Sequence, residues 1–479
     1  MSSESKPLAK DIVAAEDKVP FLKKLAYAAG GPVDILGIWV MVSIAYPFFN
    51  MELKMRPTYV AIILMSLRLW DGIMDPLMGW ISDNTRTRWG RRRPFMFVGS
   101  ILAGLTYPLI WWFPSHFDQV QVMLWVIGFG IIFYTCFTVW VMPYQSLLME
   151  MTPDYNERTR VAEIRGYFQT VAGFVNGWVW WITLLPMFAI GGEASTVNGM
   201  RYISLAIAAI ILILGIIPAI FVKERYYESD VIKKQKRIKL TTSLKETFSN
   251  RPFVILCLLT VFFLLGTAIF DSYGRYVGTY YVLGGDWGEG AKFAGYGTFV
   301  YTIFSLSFIP IFRRMSERIG KPKSLMIAIG LVLFAATSTW WTFTPKYPYL
   351  MLLNTVFIGI GYAGLWLMIP SMQVDIVDYD ELKTGERREG SFASIFSWVL
   401  KLSFCAGFLI SGPLLEWTGF DATLDDAQPE KVYTYMRLGY IIIPVVSLAL
   451  AFLLLKLFPI SPSKAAEIRE QLEAKRGKV

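Results

Sequence analysis

Charge is what this sequence has least of. Only 17% of its 479 residues are Asp, Glu, Lys or Arg, against about 25% in an average soluble chain. Histidine is nearly absent: His116 is the only one, which excludes a histidine-built metal centre and a Ser-His-Asp nucleophile. The three cysteines, Cys136, Cys257 and Cys405, all fall in apolar runs and offer neither a disulfide framework nor zinc spacing. No HExxH or GxSxG motif occurs. An enzyme is therefore not expected, and neither is a metal or organic cofactor. Hydrophobic residues make up 54%, which excludes intrinsic disorder.

What is present is long apolar runs. A membrane-spanning helix needs about 20 mostly apolar residues. Twelve runs qualify: 25–49, 57–82, 94–114, 120–148, 163–189, 200–222, 252–283, 290–312, 323–344, 348–374, 390–416 and 435–458. The fold class is thus an all-α membrane protein with twelve transmembrane helices. No cleavable secretory signal is read, because residues 1–24 are polar and the first apolar run is too long. Basic residues set the orientation. Loops on the side of the N-terminus carry 35 Lys+Arg and the opposite loops carry 7. Cytoplasmic loops are the basic ones, so both termini are expected in the cytoplasm, with the chain crossing the cell membrane. The net charge of +9 is then a consequence of topology and implies no nucleic-acid partner.

The organisation expected is a cytoplasmic tail (1–24), a six-helix bundle (25–222), a Lys-rich cytoplasmic linker (223–251), a second six-helix bundle (252–458) and a cytoplasmic tail (459–479). The halves echo each other: Arg88-Trp-Gly90-Arg91 follows the second helix of one, and Arg318-Ile-Gly320-Lys321 follows the second helix of the other.

Each charge at the centre of a span costs about 2.5–3.5 kcal/mol, so it needs a partner or a function. The second run holds Arg68, Asp71 and Asp75. Asp71 and Asp75, four apart, share one helix face. Two such carboxylates require a cation between them or a proton on one. The competing reading is permanent neutralisation by Arg68 and a lysine. Lys401, about a dozen residues into the eleventh span, is the expected partner. Four-residue spacing on one helix does not suit an aspartyl-protease dyad, whose members come from separate segments. Asp34 follows Gly30-Gly31-Pro32 in the first span and either binds substrate hydroxyls or caps a kinked helix. Asp271 and Arg275 are expected to pair with each other. Arg165 by position reads as a cytoplasmic anchor. Trp111, Trp112, Trp178, Trp180 and Trp181 read as interfacial belt residues, whereas mid-span Trp366 suits a stacking platform.

Two stretches carry a family resemblance. Residues Arg68-Leu-Trp70-Asp71-Gly-Ile-Met74-Asp75-Pro76-Leu-Met-Gly79-Trp80 through Arg88-Trp-Gly90-Arg91-Arg92-Arg93-Pro94 form the first. Asp375-Ile-Val-Asp378-Tyr379-Asp-Glu-Leu-Lys-Thr-Gly385-Glu-Arg387-Arg388-Glu-Gly390, then Ser394 to Lys401, form the second. Both resemble the glycoside–pentoside–hexuronide:cation symporters, whose best-known member is the melibiose permease. The resemblance implies the major facilitator superfamily fold, two pseudo-symmetric six-helix bundles around a central cavity, and sugar transport by alternating access, with the monomer as functional unit. It implies that Asp71, Asp75 and Thr138 bind the coupling cation and that Lys401 links cation and sugar sites. It implies a sugar site with Arg165 and Trp366, which together with Asp34, Gln145 and Ser397 lines the expected pocket. Asp83 and Arg91–Arg93 in one half, and Arg318, Asp375 and Asp378 in the other, are expected to form cytoplasmic gate pairs. The sequence also departs from that permease. Met74 replaces its asparagine and supplies no hard oxygen, which leaves H+ and Na+ equally open. Val141 and Gln145 replace its helix-4 Asp and Trp, and Asp34 stands one residue before its helix-1 Asp, so a galactoside pocket of that type is not expected. The expected partners are a sugar or glycoside and membrane lipid. The alternative is a lysophospholipid or other non-sugar cargo on the same fold.

Overall fold

The computed structural model describes residues 18–152, 155–189, 195–224, 249–385, 389–424 and 427–476. The outer parts of both tails and the body of the linker, 225–248, lie outside the described residues. Within them the chain is helical, with no strand. In chain order the helices are α1 (Phe21–Ala28), α2 (Gly30–Ala45), α3 (Pro57–Asn84), α4 (Arg93–Thr106), α5 (Gln119–Met151), α6 (Tyr155–Thr183) and α7 (Ser195–Phe221). There follow α8 (Arg251–Tyr276), α9 (Trp287–Ile319), α10 (Lys321–Thr342), α11 (Met351–Thr384), α12 (Glu389–Trp417), α13 (Glu430–Lys456) and the short, polar α14 (Pro462–Arg476). Two of them continue as π-helix: α2 over Tyr46–Glu52 and α8 over Val277–Val282.

Ten helical stretches are long and apolar enough to cross a bilayer. The runs expected over 57–82 and 163–189 are also single helices, α3 and α6, but they are more polar and fall outside that ten. In α3 the charges Arg68, Asp71 and Asp75 are the reason; in α6 the stretch after Arg165 carries no charge, and Gln169, Asn176 and its glycines and tryptophans keep it less apolar. Several helices outrun the apolar stretch that announced them. α9 reaches Ile319 and α11 reaches Thr384, because backbone hydrogen bonding continues into water where apolarity ends. The run 94–114 is the opposite case. α4 stops at Thr106 and a 3-10 turn takes Pro108–Ile110, since Pro108 has no N–H to continue the ladder.

Helix starts follow local chemistry. Asp118 caps α5 and forms a reciprocal capping box with Gln121. Asn250 and Asp286 cap α8 and α9 through side-chain oxygens.

The halves repeat at a register of 230 residues through their first parts. Pro57 and Trp287 begin α3 and α9, and the π-turns close at Glu52 and Val282. Gly90 and Gly320, mates in this register, both take positive φ (110° and 88°), a conformation only glycine adopts without strain. Packing repeats as well. α4 lies on α5 and α7, α2 on α6 and α7, and α3 on α5; in the same order α10 lies on α11 and α13, α8 on α12 and α13, and α9 on α11. Two seams join the halves, α3 with α12 and α6 with α9.

Two expected belt residues belong elsewhere. Trp111 is fully buried among Phe48, Phe49 and Tyr107, and Trp180 is only 3% exposed. Trp112, beside Trp111 but on the other face, is 46% exposed. Composition marked these as interfacial, but helix phase decides which ring turns inward.

Candidate functional site

Two charge clusters lie inside the helical body. The first crosses the α3–α12 seam. Lys401 Nζ is 2.9 Å from Asp71 Oδ2, bonds Asp75 Oδ2 and donates to the Asp71 carbonyl at 3.3 Å. Arg68, one turn before Asp71, reaches the same Oδ2 at 3.4 Å. Its guanidinium sits between the rings of Trp39 (5.2 Å) and Phe404 (5.8 Å), where cation–π attraction offsets part of its desolvation. The Lys401 stem passes over Gly72: a Cβ there would stand 3.7 Å from Lys401 Cδ, an ordinary contact. Two carboxylates and two bases thus balance in a largely buried place. Both readings of the sequence are represented, since Arg68 and Lys401 occupy the position where a coupling cation would bind.

Two buried oxygens among the residues expected at the cation site remain unused. Asp75 Oδ1 is buried without a partner, and so is the hydroxyl of Thr138, which is fully buried on α5. No described bond joins Thr138 to Asp71 or Asp75. Instead Thr135 takes the Trp70 indole N–H at 2.9 Å, which fixes α3 against α5. A recess of about 20 Å³, lined by Arg68, Gly72, Lys401 and Cys405 among others, opens beside the charges.

The second cluster lies within the first half, between α2 and α6. Asp34 Oδ2 accepts from Arg165 Nη2 at 2.9 Å and from Gln169 Nε2 at 2.8 Å. Gln145 of α5 lies within hydrogen-bonding reach of the same carboxylate. Arg165 stacks over the Tyr144 ring at 5.4 Å, and Tyr144 and Tyr27 stack at 4.7 Å while each hydroxyl donates to the other's carbonyl. The glycines of the Gly30-Gly31-Pro32 sequence make this possible. A Cβ on Gly30 would meet Tyr144 at 2.4 Å, and one on Gly31 would meet the Arg165 carbonyl at 3.1 Å.

Arg165 is therefore no cytoplasmic anchor; its charge is consumed by Asp34. Gln169 and Tyr144 were not singled out in the sequence. Gln169 could have been, since it stands four residues after Arg165 on the same helix face. Trp366 and Ser397 are both exposed, and no described contact links either to Asp34. Ser397 precedes Lys401 by one turn. Arg275 donates to the Ser43 carbonyl across on α2. The Asp271 side chain lies outside the described residues.

Around the residues expected to form cytoplasmic gate pairs, the described contacts are these. The backbone N–H groups of Arg91, Arg92 and Arg93 donate to the Glu224 carboxylate at 3.0, 2.7 and 3.3 Å. The N-terminus of α4 needs acceptors, and Glu224 at the end of the first half supplies them. In the second half Lys321, not Arg318, holds Asp375, at 2.6 Å. Arg318 lies in the last turn of α9, where a cation suits the helix dipole. Asp378 stands three residues after Asp375 on α11. Among the described residues, the Lys321–Asp375 pair joins two helices of the second half. The side chain of Asp83 lies outside the described residues.

Comparison with known proteins agrees with this arrangement. The model of the MFS/sugar transport protein family matches residues 27–462. The isoprimeverose transporter of Lactiplantibacillus pentosus is 24% identical over 98% of this chain and 96% of its own length. The sodium-dependent lysophosphatidylcholine symporter 1 of Gallus gallus is 25% identical over 96% and 90%. Among solved structures, the inward-open xylose transporter XylE from E. coli superposes with a TM-score of 0.62 at 16% identity, covering 94% of this chain and 99% of that one. That likeness shows the fold, the helical architecture of the major facilitator superfamily. With nearly the whole chain matched, the protein belongs to the MFS/sugar transport family and is a multi-pass membrane transporter.

Proposed function

We propose that this chain is a secondary active transporter that carries a sugar or glycoside together with a cation, H+ or Na+, by alternating access. The observation that carries this reading is Lys401 on Asp71 and Asp75. A lysine from one half sits on two carboxylates of the other. A coupling ion bound there must displace the lysine, so ion binding and the relative position of the halves depend on each other. Coupling of this kind is reciprocal, and it favours co-transport because one site assembles the other. The family relation supports the same reading.

In the proposed cycle, residues 25–222 and 252–458 act as two bundles in a cell membrane, with both termini cytoplasmic and the monomer as the working unit. The cation binds at Asp71 and Asp75, with Thr138 lending its unused hydroxyl. Lys401 is released towards the substrate. Asp34, Arg165 and Gln145 hold substrate hydroxyls, with Gln169 fixing the carboxylate; Trp366 and Ser397 complete the pocket from the second half. Arg165 Nε, buried without a partner, is a donor still available to a ligand.

The test is uptake into vesicles under imposed proton or sodium gradients. Asp75→Asn is expected to abolish gradient-driven accumulation and to leave downhill exchange; intact accumulation in that variant would overturn the cation assignment. The alternative, a lysophospholipid cargo, requires sideways access from the bilayer. Leu69, Ile73, Trp398 and Leu402, each 45–48% exposed, flank the recess beside Lys401. Its ≈20 Å³ holds about one water, too little for a sugar ring or a headgroup, so either cargo requires the halves to part. Competition of uptake by sugars against lysolipids separates the two.

A further inference from the structure

The two π-turns meet. α2 and α8 carry on into them at the same register, and their bonding is the same residue for residue. Leu53 N–H donates to Phe48 and Met55 N–H to Phe49; 230 residues on, Leu283 N–H donates to Gly278 and Gly285 N–H to Thr279. Such widened turns recur at functional positions in helices. At their start stand Tyr46 and Tyr276, mates in this register. Their rings pack edge to face at 5.8 Å and 82°. Each hydroxyl then crosses to the other half. Tyr46 shares a 2.6 Å hydrogen bond with Ser411 of α12, and Tyr276 donates to Asn50 Oδ1 at 2.6 Å. Asn50 is held in turn, because its amide donates to the Met55 carbonyl. All four side chains are at most 3% exposed.

More contacts join the halves at this end. Lys54 Nζ donates to the Ala422 carbonyl at 2.6 Å and lies over the Trp287 ring at 4.9 Å. Lys54 is also the one described non-glycine residue at positive φ (52°), a conformation that side chains rarely take and that these two contacts maintain. Arg275 donates to the Ser43 carbonyl. These contacts gather on the side that the pattern of basic loops assigns to the outside. The described ion pairs at the opposite end stay within their own halves.

We infer that Tyr46 and Tyr276 are the paired latch of the outer seal: two pseudo-symmetric hydroxyls that hold the carrier closed to the outside and must let go before substrate enters from there. The inference rests on the alternating-access reading of the chain, but its test needs no transported substrate, so the two can fail separately. Placing both rings on the pseudo-two-fold makes them touch each other, while each hydroxyl bonds the opposite half. Separation of the halves therefore breaks both bonds at once, which makes release cooperative.

The experiment uses the full chain in sealed vesicles of known orientation, with Cys136, Cys257 and Cys405 replaced by alanine and Ser43→Cys placed behind the seal. An impermeant maleimide added from outside reacts with it at a rate proportional to the outward-open population, even when that population is small. Tyr46→Phe and Tyr276→Phe keep the rings and remove only the hydroxyls. Each is expected to speed labelling about fivefold, the worth of one net hydrogen bond. Ser411→Ala should match Tyr46→Phe, since it removes the same bond from the other side. Labelling in inside-out vesicles should stay equal or slow, which also checks that the variants are folded. Labelling unchanged from both sides of the membrane in both tyrosine variants would overturn the latch. So would a rise for Tyr46→Phe with none for Ser411→Ala. A rise confined to inside-out vesicles would keep the latch and overturn the assigned topology.

Discussion

The two seams between the halves occupy equivalent places but are built from opposite chemistry. At the α3–α12 seam Arg68, Asp71 and Asp75 face Lys401. At the α6–α9 seam, the mates of those α3 residues are Thr298, Tyr301 and Ser305, and the mate of Lys401 in the repeat of α6 and α12 is Tyr167. None of that set carries a charge at neutral pH. The seam closes instead on small and aromatic surface. Phe174 meets Phe299 at 6.0 Å, Trp178 meets Tyr296 at 5.8 Å, and a Cβ on Gly295 would meet the Trp178 ring at 2.7 Å. One seam can respond to an ion, because its Coulomb balance changes when a cation arrives. The other is shaped by close contact alone and is indifferent to ions. A single fold repeated twice therefore holds one sensing joint and one passive joint.

Lys401→Met is the largest expected blow to this contrast. It leaves two buried carboxylates without their bridging cation, at a cost on the order of 3 kcal/mol. A marked fall in detergent melting temperature and loss of uptake are expected. The double variant with Asp75→Asn should recover most of the melting temperature but none of the coupling. If Lys401→Met melts like the parent, the charged seam is not holding the halves together. Gly177→Ala attacks the other seam. Its new Cβ would stand 2.3 Å from Thr298 Oγ1, so overpacking of about 1–3 kcal/mol is expected. Transport should slow while the dependence on ion concentration keeps its shape; a changed ion dependence would mean that the passive seam also senses.

Gln169→Met is smaller. It removes one of the donors to Asp34 within a single half, worth about 1 kcal/mol. The substrate concentration for half-maximal uptake should rise several-fold with coupling and both seams unaffected. Glu157→Gln is the smallest and serves as a control away from either seam. Burial would raise the Glu157 pKa, but Lys24 at 2.6 Å, the Val19 N–H at 2.9 Å and Arg160 outweigh it and hold the carboxyl below its usual 4.5. A carboxyl depressed in the folded state stabilises above its unfolded pKa and loses that contribution as pH falls through the folded value. Melting curves of the parent should weaken below about pH 4.5, and those of Glu157→Gln should lack that component.

The legible part of the site was its charges. Asp71, Asp75 and Lys401 stand out because ionised groups in an apolar span are costly, so each announces a partner. Asp34 was visible for the same reason, but its partner was not. Arg165 lies near a span's end, where a basic residue is ordinary, and only packing through Gly31 revealed its target. Gln169, Tyr144, Tyr46 and Tyr276 carry no charge, and such residues are common in membrane helices without any role. Glu224 stood in a polar linker among many similar residues, and nothing in its neighbours marks it as the acceptor for the α4 N-terminus. The aromatic belt was overdrawn at Trp111 and Trp180 because apolar and interfacial tryptophans look alike in one dimension.

By itself the sequence determined the solvent and the rough places of the spans, since these follow from local apolarity. It also determined that a few central charges must be matched. Only the tertiary structure decided the matches: Lys401 from α12 on α3, Arg165 on Asp34, and Tyr46 beside Tyr276. Such pairings join residues up to 330 positions apart. They depend on which helix faces meet, and helix phase and the close approach at Gly30 and Gly31 are set by packing in three dimensions.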